Sequence, residues 1–335
     1  MSPFKNTYIE DNSSISLPKD LKNKYKGSGG KASSSALKIY LNYNVTQNSI
    51  EKLEIASWHK SDAKFTKKII PLLKEDDLVL RDLGFFKIVR FKEIEERGAY
   101  YLSRYFLSTT LYINNSKVEL LDFLKSKNKH KIIDEEVKIS VQKLQTRLIA
   151  IRVSDEIYNQ RVRSLNKKYK QRGKTPTKST LDLQRYVIFI TNIPKKMIAP
   201  QHIGTIYRLR WSIELVFKRW KSTFKINRVT GKNGNRILCF IYAKLIAILL
   251  MSNFENYALS LVKKIDRELS YEKFFKWILC RDRFQRLFSV EFSVKSFLQK
   301  IEENLSRMLR DKRKKRLSSL ELILSSAPFY DCVWA

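Results

Sequence analysis

Tyr207, Arg210, Glu214 and Lys221 stand at offsets of three, seven and fourteen within residues 203–221, IGTIYRLRWSIELVFKRWK. At about 100° per residue these offsets fall within roughly 60° of one another, so a single helix would present an acid among bases on one stripe. Two further acids, Asp11 in YIEDNSS and Asp82 in LVLRDLG, each close a short apolar stretch that reads as a strand ending in a carboxylate. Carboxylates gathered from two strand ends and a helix suit hard divalent cations, because Mg2+ takes octahedral oxygen ligands. Two such ions about 3.5–4 Å apart activate a water or a 3′-hydroxyl and stabilise the leaving oxygen of an in-line displacement. The chemistry indicated is phosphoryl transfer on nucleic acid. Plainer readings stand beside it. An Asp at a strand end is commonly a turn former or helix cap, and Glu214 near Arg210, Lys218 and Lys221 reads equally as i,i+4 pairing on an exposed helix. His59, His130 and His202 are scattered and form no metal set, and Asp76 and Asp77 read as solvated. The polar segment 26–35, KGSGGKASSS, lacks the Walker spacing of a phosphate-binding loop.

Composition narrows the partner. The 335 residues carry 66 Lys plus Arg against 33 Asp plus Glu, a formal net charge of +33. A polyanion is the expected partner, nucleic acid first, since neutralised phosphates release counterions. An acidic membrane fits less well, because the bases are spread along the chain rather than gathered on one lipid-facing helix. With 43% hydrophobic residues the chain can bury a sizeable core. Cys239, Cys280 and Cys332 are odd in number and widely separated, which fits a reducing cytoplasm and neither a disulfide framework nor a zinc site. The opening residues lack the apolar core of a signal peptide. The apolar run 237–251, interrupted by Lys244, reads as a buried core helix shorter than a membrane span.

These side chains need a scaffold. Residues 38–48 and 51–58 alternate as adjacent strands, 64–73 read as helix, and 78–80 as a buried strand leading into Asp82. Residues 87–97 read as helix and 100–106 as strand. From about 107 the short β-like pieces TLYI, KVELL, EVKIS and LIAIRV follow, then a basic helix and loop at 161–178, taken as a solvated face. Residues 186–191 read as a buried strand and 201–224 as one long helix. Its second stripe, Ile206, Leu209, Ile213, Phe217, Trp220 and Phe224, has core-facing spacing. Residues 237–325 read as mostly helical, with a basic cluster at 307–316.

The Y-x2-R-x3-E-x6-K spacing at Tyr207, Arg210, Glu214 and Lys221, inside RWSIELVFKRWKS, resembles the YREK signature of the bacterial insertion-sequence transposases of the IS-four DDE family. IEDNSSISLP, LVLRDLGFF followed by GAYYLSR, YVIFITNIP and RILCFIYAKLIAILL align with that family in order, from about residue 8 to 260. The resemblance implies an α/β, RNase H-like mixed sheet flanked by helices, interrupted by a β-rich insertion, with a mostly helical C-terminal region. The implied division is 1–106 and 197–255 for the catalytic core, 107–196 for the insertion and 256–335 for the helical end. Asp11, Asp82 and Glu214 carry over as the catalytic, metal-binding triad for two Mg2+ ions, with Mn2+ as a substitute. Tyr207, Arg210 and Lys221 carry over as DNA-phosphate contacts, and Tyr186 as the aromatic holding a flipped base.

The implied reaction is hydrolytic nicking at element ends followed by attack of the freed 3′-hydroxyl, with double-stranded end and target DNA as partners. A homodimer in the DNA complex, a cytoplasmic, nucleoid-associated location, and no membrane or small-molecule cofactor complete the expectation. Family members carry an end-recognition domain before the first aspartate, whereas Asp11 almost opens this chain. The expectation is therefore a truncated frame or a start inside a longer gene. The alternative function is a non-catalytic DNA-binding remnant.

Overall fold

The computed structural model describes residues 3–28, 33–58, 64–127, 129–263, 265–287 and 289–312. The chain begins with three antiparallel strands, β1 (Thr7–Ser16), β2 (Ala36–Asn44) and β3 (Ser49–Ser57). On the other side of β1 lies β4 (Leu78–Arg81), parallel to it. Helix α1 (Ile88–Glu96) then leads to β5 (Tyr100–Arg104), parallel to β4. Next come β6 (Leu111–Ile113), β7 (Ser116–Val118), α2 (Leu120–Ser126), β8 (Ile132–Ile139) and β9 (Leu144–Arg152). An excursion through α3 (Asp155–Lys170) and α4 (Lys178–Asp182) returns as β10 (Tyr186–Thr191), which lies between β5 and β9. All ten strands form one sheet in the order β3-β2-β1-β4-β5-β10-β9-β8-β6-β7. The strand-rich stretch thus extends the same sheet, and the whole is the RNase H-like mixed sheet the resemblance implied.

Alternation along the strands sorts side chains into two cores. Ile9, Leu78, Leu80, Leu102, Val187 and Phe189 face the helices α5 (Pro200–Arg208), α6 (Ser212–Ser222) and α7 (Gly234–Val262). Tyr8, Val79, Tyr101, Tyr186, Ile188 and Ile190 face the side covered by α1 and α2. A third cluster joins the distal half of α7 to the C-terminal elements. These are β11 (Glu268–Leu269), α8 (Tyr271–Ile278), α9 (Arg281–Arg286), α10 (Val294–Glu303), α11 (Leu305–Met308) and β12 (Leu309–Arg310). Residues 313–316 of the basic cluster, together with His59 and Cys332, lie outside the described residues, while Cys239 and Cys280 are exposed free thiols.

Several expectations are corrected. Residues 64–73 form turns and a short 3₁₀ segment, Ile70–Leu72, because Pro71 has no amide hydrogen and clashes with the preceding helical turn. KVELL splits, its first residues closing β7 and its leucines opening α2. β1 does not end at Asp11 but runs to Ser16, paired with β2 throughout. Asp77 is buried, not solvated, accepting from the Asn6 side chain at 2.9 Å and the Lys74 amide at 2.8 Å. The long helix at 201–224 is interrupted by a 3₁₀ turn, Leu209–Trp211. Its core stripe holds regardless, with Leu209, Ile213 and Trp220 buried.

α7 also departs from the buried helix expected. Its 29 residues reach mean hydropathy 2.1 over an 18-residue window, enough by length and composition to cross a membrane, and only 28% of that window is buried. Ile237, Ile241, Leu245 and Ile248 pack inward, while Phe240, Tyr242, Ile246, Leu249 and Leu250 are exposed. Lys244 does not face lipid. Its ammonium donates to the carbonyls of Lys225 and Arg228 at 2.9 and 2.8 Å, fastening α7 to the loop after α6.

Candidate active site

Two strands deliver the first two carboxylates to one face. β1 and β4 pair in register through Thr7↔Leu78 and Ile9↔Leu80, and the ladder stops there. Two residues on, alternation returns Asp11 and Asp82 to the face of Ile9 and Leu80, the face covered by α5 and α6. Asp11 is mid-strand, yet its β4 neighbour has already turned away, so its flank toward α6 is open. Asp82 starts the 3₁₀ turn Leu83–Phe85 without a side-chain capping bond. Among the described residues its carboxylate makes no hydrogen bond or ion pair, so the reading of Asp82 as a simple cap does not hold.

The residues one position earlier point the opposite way and join the two strands. Glu10 and Arg81 are both fully buried, with Arg81 Nε and Nη2 at 3.0 and 2.9 Å from Glu10 Oε2. The Tyr40 hydroxyl donates to Glu10 Oε1 at 2.7 Å, and Arg81 Nη2 donates to the Thr66 carbonyl at 2.7 Å. Burial pushes the Glu10 carboxyl up, and Arg81 and Tyr40 pull it back. This pair was missed in the sequence, although its signal was present: a charge of each sign directly before an Asp, each following an apolar stretch.

The third carboxylate arrives from the helices. The 3₁₀ turn advances three residues at roughly 120° each instead of 100°, rotating Tyr207 about 60° relative to Glu214. Tyr207 is accordingly buried against Phe189, ring centroids 5.2 Å apart, and its hydroxyl donates to the Arg81 carbonyl at 3.2 Å. Burial, with Asp82 nearby, pushes that hydroxyl up to about 12. Tyr207 therefore braces α5 against the strand carrying Asp82. Arg210 remains near the surface and pairs with Glu214 at 2.8 Å, their side chains 14% and 35% exposed. Lys221 is half-buried two turns further on, with no ion pair among the described residues. Tyr186 departs from the base-holding role. It shares a face with Ile188 and Ile190 and is buried on the side opposite α6, offering no open ring.

Behind α6, Arg219 turns inward. It pairs with buried Glu255 of α7 at 3.1 Å and stacks on Tyr271 of α8 at 4.1 Å. Asn48, in the β2–β3 turn, donates to Glu255 at 3.3 Å and to Asn256 at 2.6 Å. Three elements, α7, α8 and the β2–β3 turn, thus fix the back of the helix that carries Glu214.

Electrostatics tie the front together. Burial pushes the Asp11 carboxyl up to about 6; its bond from the Asn12 amide and nearby Arg210 pull it down, while Asp82 and Glu214 push it further up. Arg210 responds in the opposite sense: burial pulls it down, but Asp82, Tyr207 and Glu214 carry it above its usual range. Among the described residues no three His, Cys, Asp or Glu side chains are drawn together as a ready metal cage. The donor chemistry nonetheless fits a hard cation, since Asp11 lies within electrostatic reach of two further carboxylates, Asp82 and Glu214, with Arg210 offsetting them. A raised carboxyl favours the folded state below its unfolded value near 3.8, and that contribution is lost as pH rises through about 6. Asp11→Asn in EDTA is therefore expected to raise Tm at pH 8 relative to the parent, with the difference closing as pH falls below 5. Equal or lower Tm at pH 8 by differential scanning fluorimetry would count against a charged Asp11 being costly to bury at this site.

Residues 2–250 match the family described as Transposase DDE domain. The chain belongs to this DDE transposase family. It is 31% identical over 328 residues to the transposase for insertion sequence element IS1151 of Clostridium perfringens, covering 91% of this chain and 69% of that protein. It is 32% identical over 292 residues to the transposase for IS231E of Bacillus thuringiensis subsp. finitimus, covering 81% of this chain and 61% of that protein. The IS231F transposase of Bacillus thuringiensis subsp. israelensis is matched at 30% identity with coverage of 82% and 61%. The chain thus spans roughly two thirds of these relatives' length. Among solved structures, a cryo-EM piggyBac transposase synaptic complex with hairpin DNA is matched at TM-score 0.45 and 11% identity, over 92% of this chain and 58% of that one. That likeness is too loose to bear on any residue.

Proposed function

We propose that this chain carries out the DNA cleavage and strand-transfer steps of insertion-sequence transposition, with Asp11, Asp82 and Glu214 as the catalytic carboxylates. The observation that carries the reading is placement: Asp11 and Asp82 fall on the sheet face covered by the helix that carries Glu214, with Asp82 capping nothing. Two Mg2+ ions, or Mn2+ in their place, would activate the attacking water or 3′-hydroxyl and stabilise the leaving oxygen. Asp11 and Asp82, fixed on adjacent strands by the buried pair beneath them, supply rigid oxygen ligands. Glu214 completes the set from α6, and its tie to Arg210 requires that oxygen to be released or shared when an ion is held. Arg210 then stands free to meet a phosphate oxygen, for which guanidinium geometry is suited, and Lys221 meets the backbone further along α6. The partners proposed are double-stranded element ends and target DNA, a second copy of the chain in the DNA complex, and a cytoplasmic, nucleoid-associated setting.

The test is nicking of a duplex bearing the element's terminal repeat by the purified chain in Mg2+. Cleavage that needs the metal and all three carboxylates supports the reading. Salt-dependent binding without cleavage in Mg2+ or Mn2+ would replace it with a DNA-binding remnant.

A further inference from the structure

The end of the sheet that holds Asp82 continues sideways to exposed bases on the neighbouring strands. β4 ends at the buried Arg81 opposite Ser103, β5 ends one residue later at Arg104 opposite Phe189, and antiparallel β10 begins at Tyr186, three residues beyond that level, with β9 ending at Arg152 opposite Tyr186. Strands lie about 4.8 Å apart, so β10 runs roughly 10 Å to the side of the strand carrying Asp82, and its first residues overhang the end of β5. Arg104 is exposed and falls on the α5–α6 face with Leu102. Arg161, on α3, reaches back to this end and donates to the carbonyls of Gln184 and Tyr186 at 3.3 and 3.4 Å. Neither arginine has an ion-pair partner among the described residues. Burial, and after it the neighbouring Arg104, hold the Arg161 guanidinium below its usual range.

α3 itself is an unusual helix. None of its 16 residues is fully buried, and one stripe, Tyr158, Val162, Leu165 and Tyr169, is half-buried. Its polar ties lie in its first half: Ser154 caps the helix, Asp155 pairs with Arg185 at 3.1 Å, Arg185 stacks on Tyr158 at 4.0 Å, and Arg161 holds the carbonyls of Gln184 and Tyr186. Beyond that anchor, Arg163, Lys167, Lys168 and Lys170 are all exposed, and Arg172, Lys174 and Lys178 continue the charge through the loop to α4. A helix tied in its first half, with its later basic side chains exposed, projects positive charge away from the body.

We infer that residues 161–178, led by Arg104 and Arg161, form an arm that holds the phosphate backbone of duplex DNA flanking the scissile position. Sequence alone favoured a solvated bystander for this run. What changes the reading is the start of the arm, at the sheet end two strands from Asp82, and the unpaired Arg104 that bridges the gap. The inference rests on DNA being the substrate of the acidic site.

The experiment is fluorescence-anisotropy titration of the full chain with terminal-repeat duplex across a range of NaCl. Each phosphate contact contributes about 0.9 to the slope of log affinity against log salt. Substituting Arg163, Lys167, Lys168 and Lys170 together by Gln is expected to lower the slope by about 2–4, and Arg104→Gln alone by about 1. A control set removes the same charge from exposed positions on the C-terminal elements, Arg281, Arg286, Lys295 and Lys300, and is expected to change the slope by less than 1. An arm variant whose slope matches the parent's or the control's overturns the inference and leaves the proposed function standing. A parent chain that shows no salt-dependent DNA binding overturns both.

Discussion

Glu214→Gln and Asp82→Asn are each expected to lower the rate of Mg2+-dependent nicking on the order of 10³-fold, the scale of losing one preorganised electrostatic group. That loss corresponds to about 4 kcal/mol of transition-state stabilisation. Stability should move little in both. Glu214 loses a partly exposed pairing with Arg210, a contact of the kind worth about 0.2–1 kcal/mol. Asp82 holds no hydrogen bond or ion pair among the described residues, and neutralising it relieves Asp11 while weakening its attraction to Arg210, so Asp82→Asn should leave Tm close to the parent's. Single-turnover cleavage in Mg2+, read beside a thermal melt, separates this from a folding defect. Unchanged nicking in either variant would remove that carboxylate from the site.

Arg81→Met is expected to cost about 3–5 kcal/mol of folding stability, because it leaves the Glu10 carboxylate buried and uncompensated. For a chain of this size that lowers Tm on the order of 10 °C. The sign with pH is fixed. Without Arg81 the folded Glu10 carboxyl rises further above its unfolded value, so it stabilises the fold when protonated and loses that contribution as pH rises. The defect in Arg81→Met should therefore shrink between pH 8 and pH 5. Adding Glu10→Leu should recover much of the loss, since two apolar side chains replace a buried pair more readily than one. A single variant with unaltered Tm would show that the pair does not hold β1 to β4.

The contrast between these two predictions reflects what could be read without a structure. The strands beside Asp11 and Asp82 and the helix of Glu214 were legible because apolar spacing announces them, while assigning the three as a triad came from the family resemblance. Glu10 and Arg81 stood next to the first two and went unread, because a charged residue in a strand declares its partner only when the strand order is known. The same ignorance of neighbours placed Asp11 at a strand end. β1 continues to Ser16 on its β2 side, and only the stopping of the β4 ladder opens the space beside it. Periodicity also could not show the 3₁₀ turn at Leu209–Trp211, which keeps the core stripe intact while rotating Tyr207 into the interior. An α7 apolar on every side satisfied the pattern of a buried helix. Tertiary contacts covered one face and left the other open.

α7 also has a mechanical consequence. At about 1.5 Å per residue it is a rod of roughly 43 Å, its first half set among the residues that support α6 and its second half forming the wall of the C-terminal cluster. Arg219 and Glu255 act as a cross-pin between the rod and α6. A displacement of the C-terminal elements is therefore expected to reach α6 through this pin, because α7 runs as one unbroken helix from Gly234 to Val262, and the side chain carried on the front of α6 is Glu214.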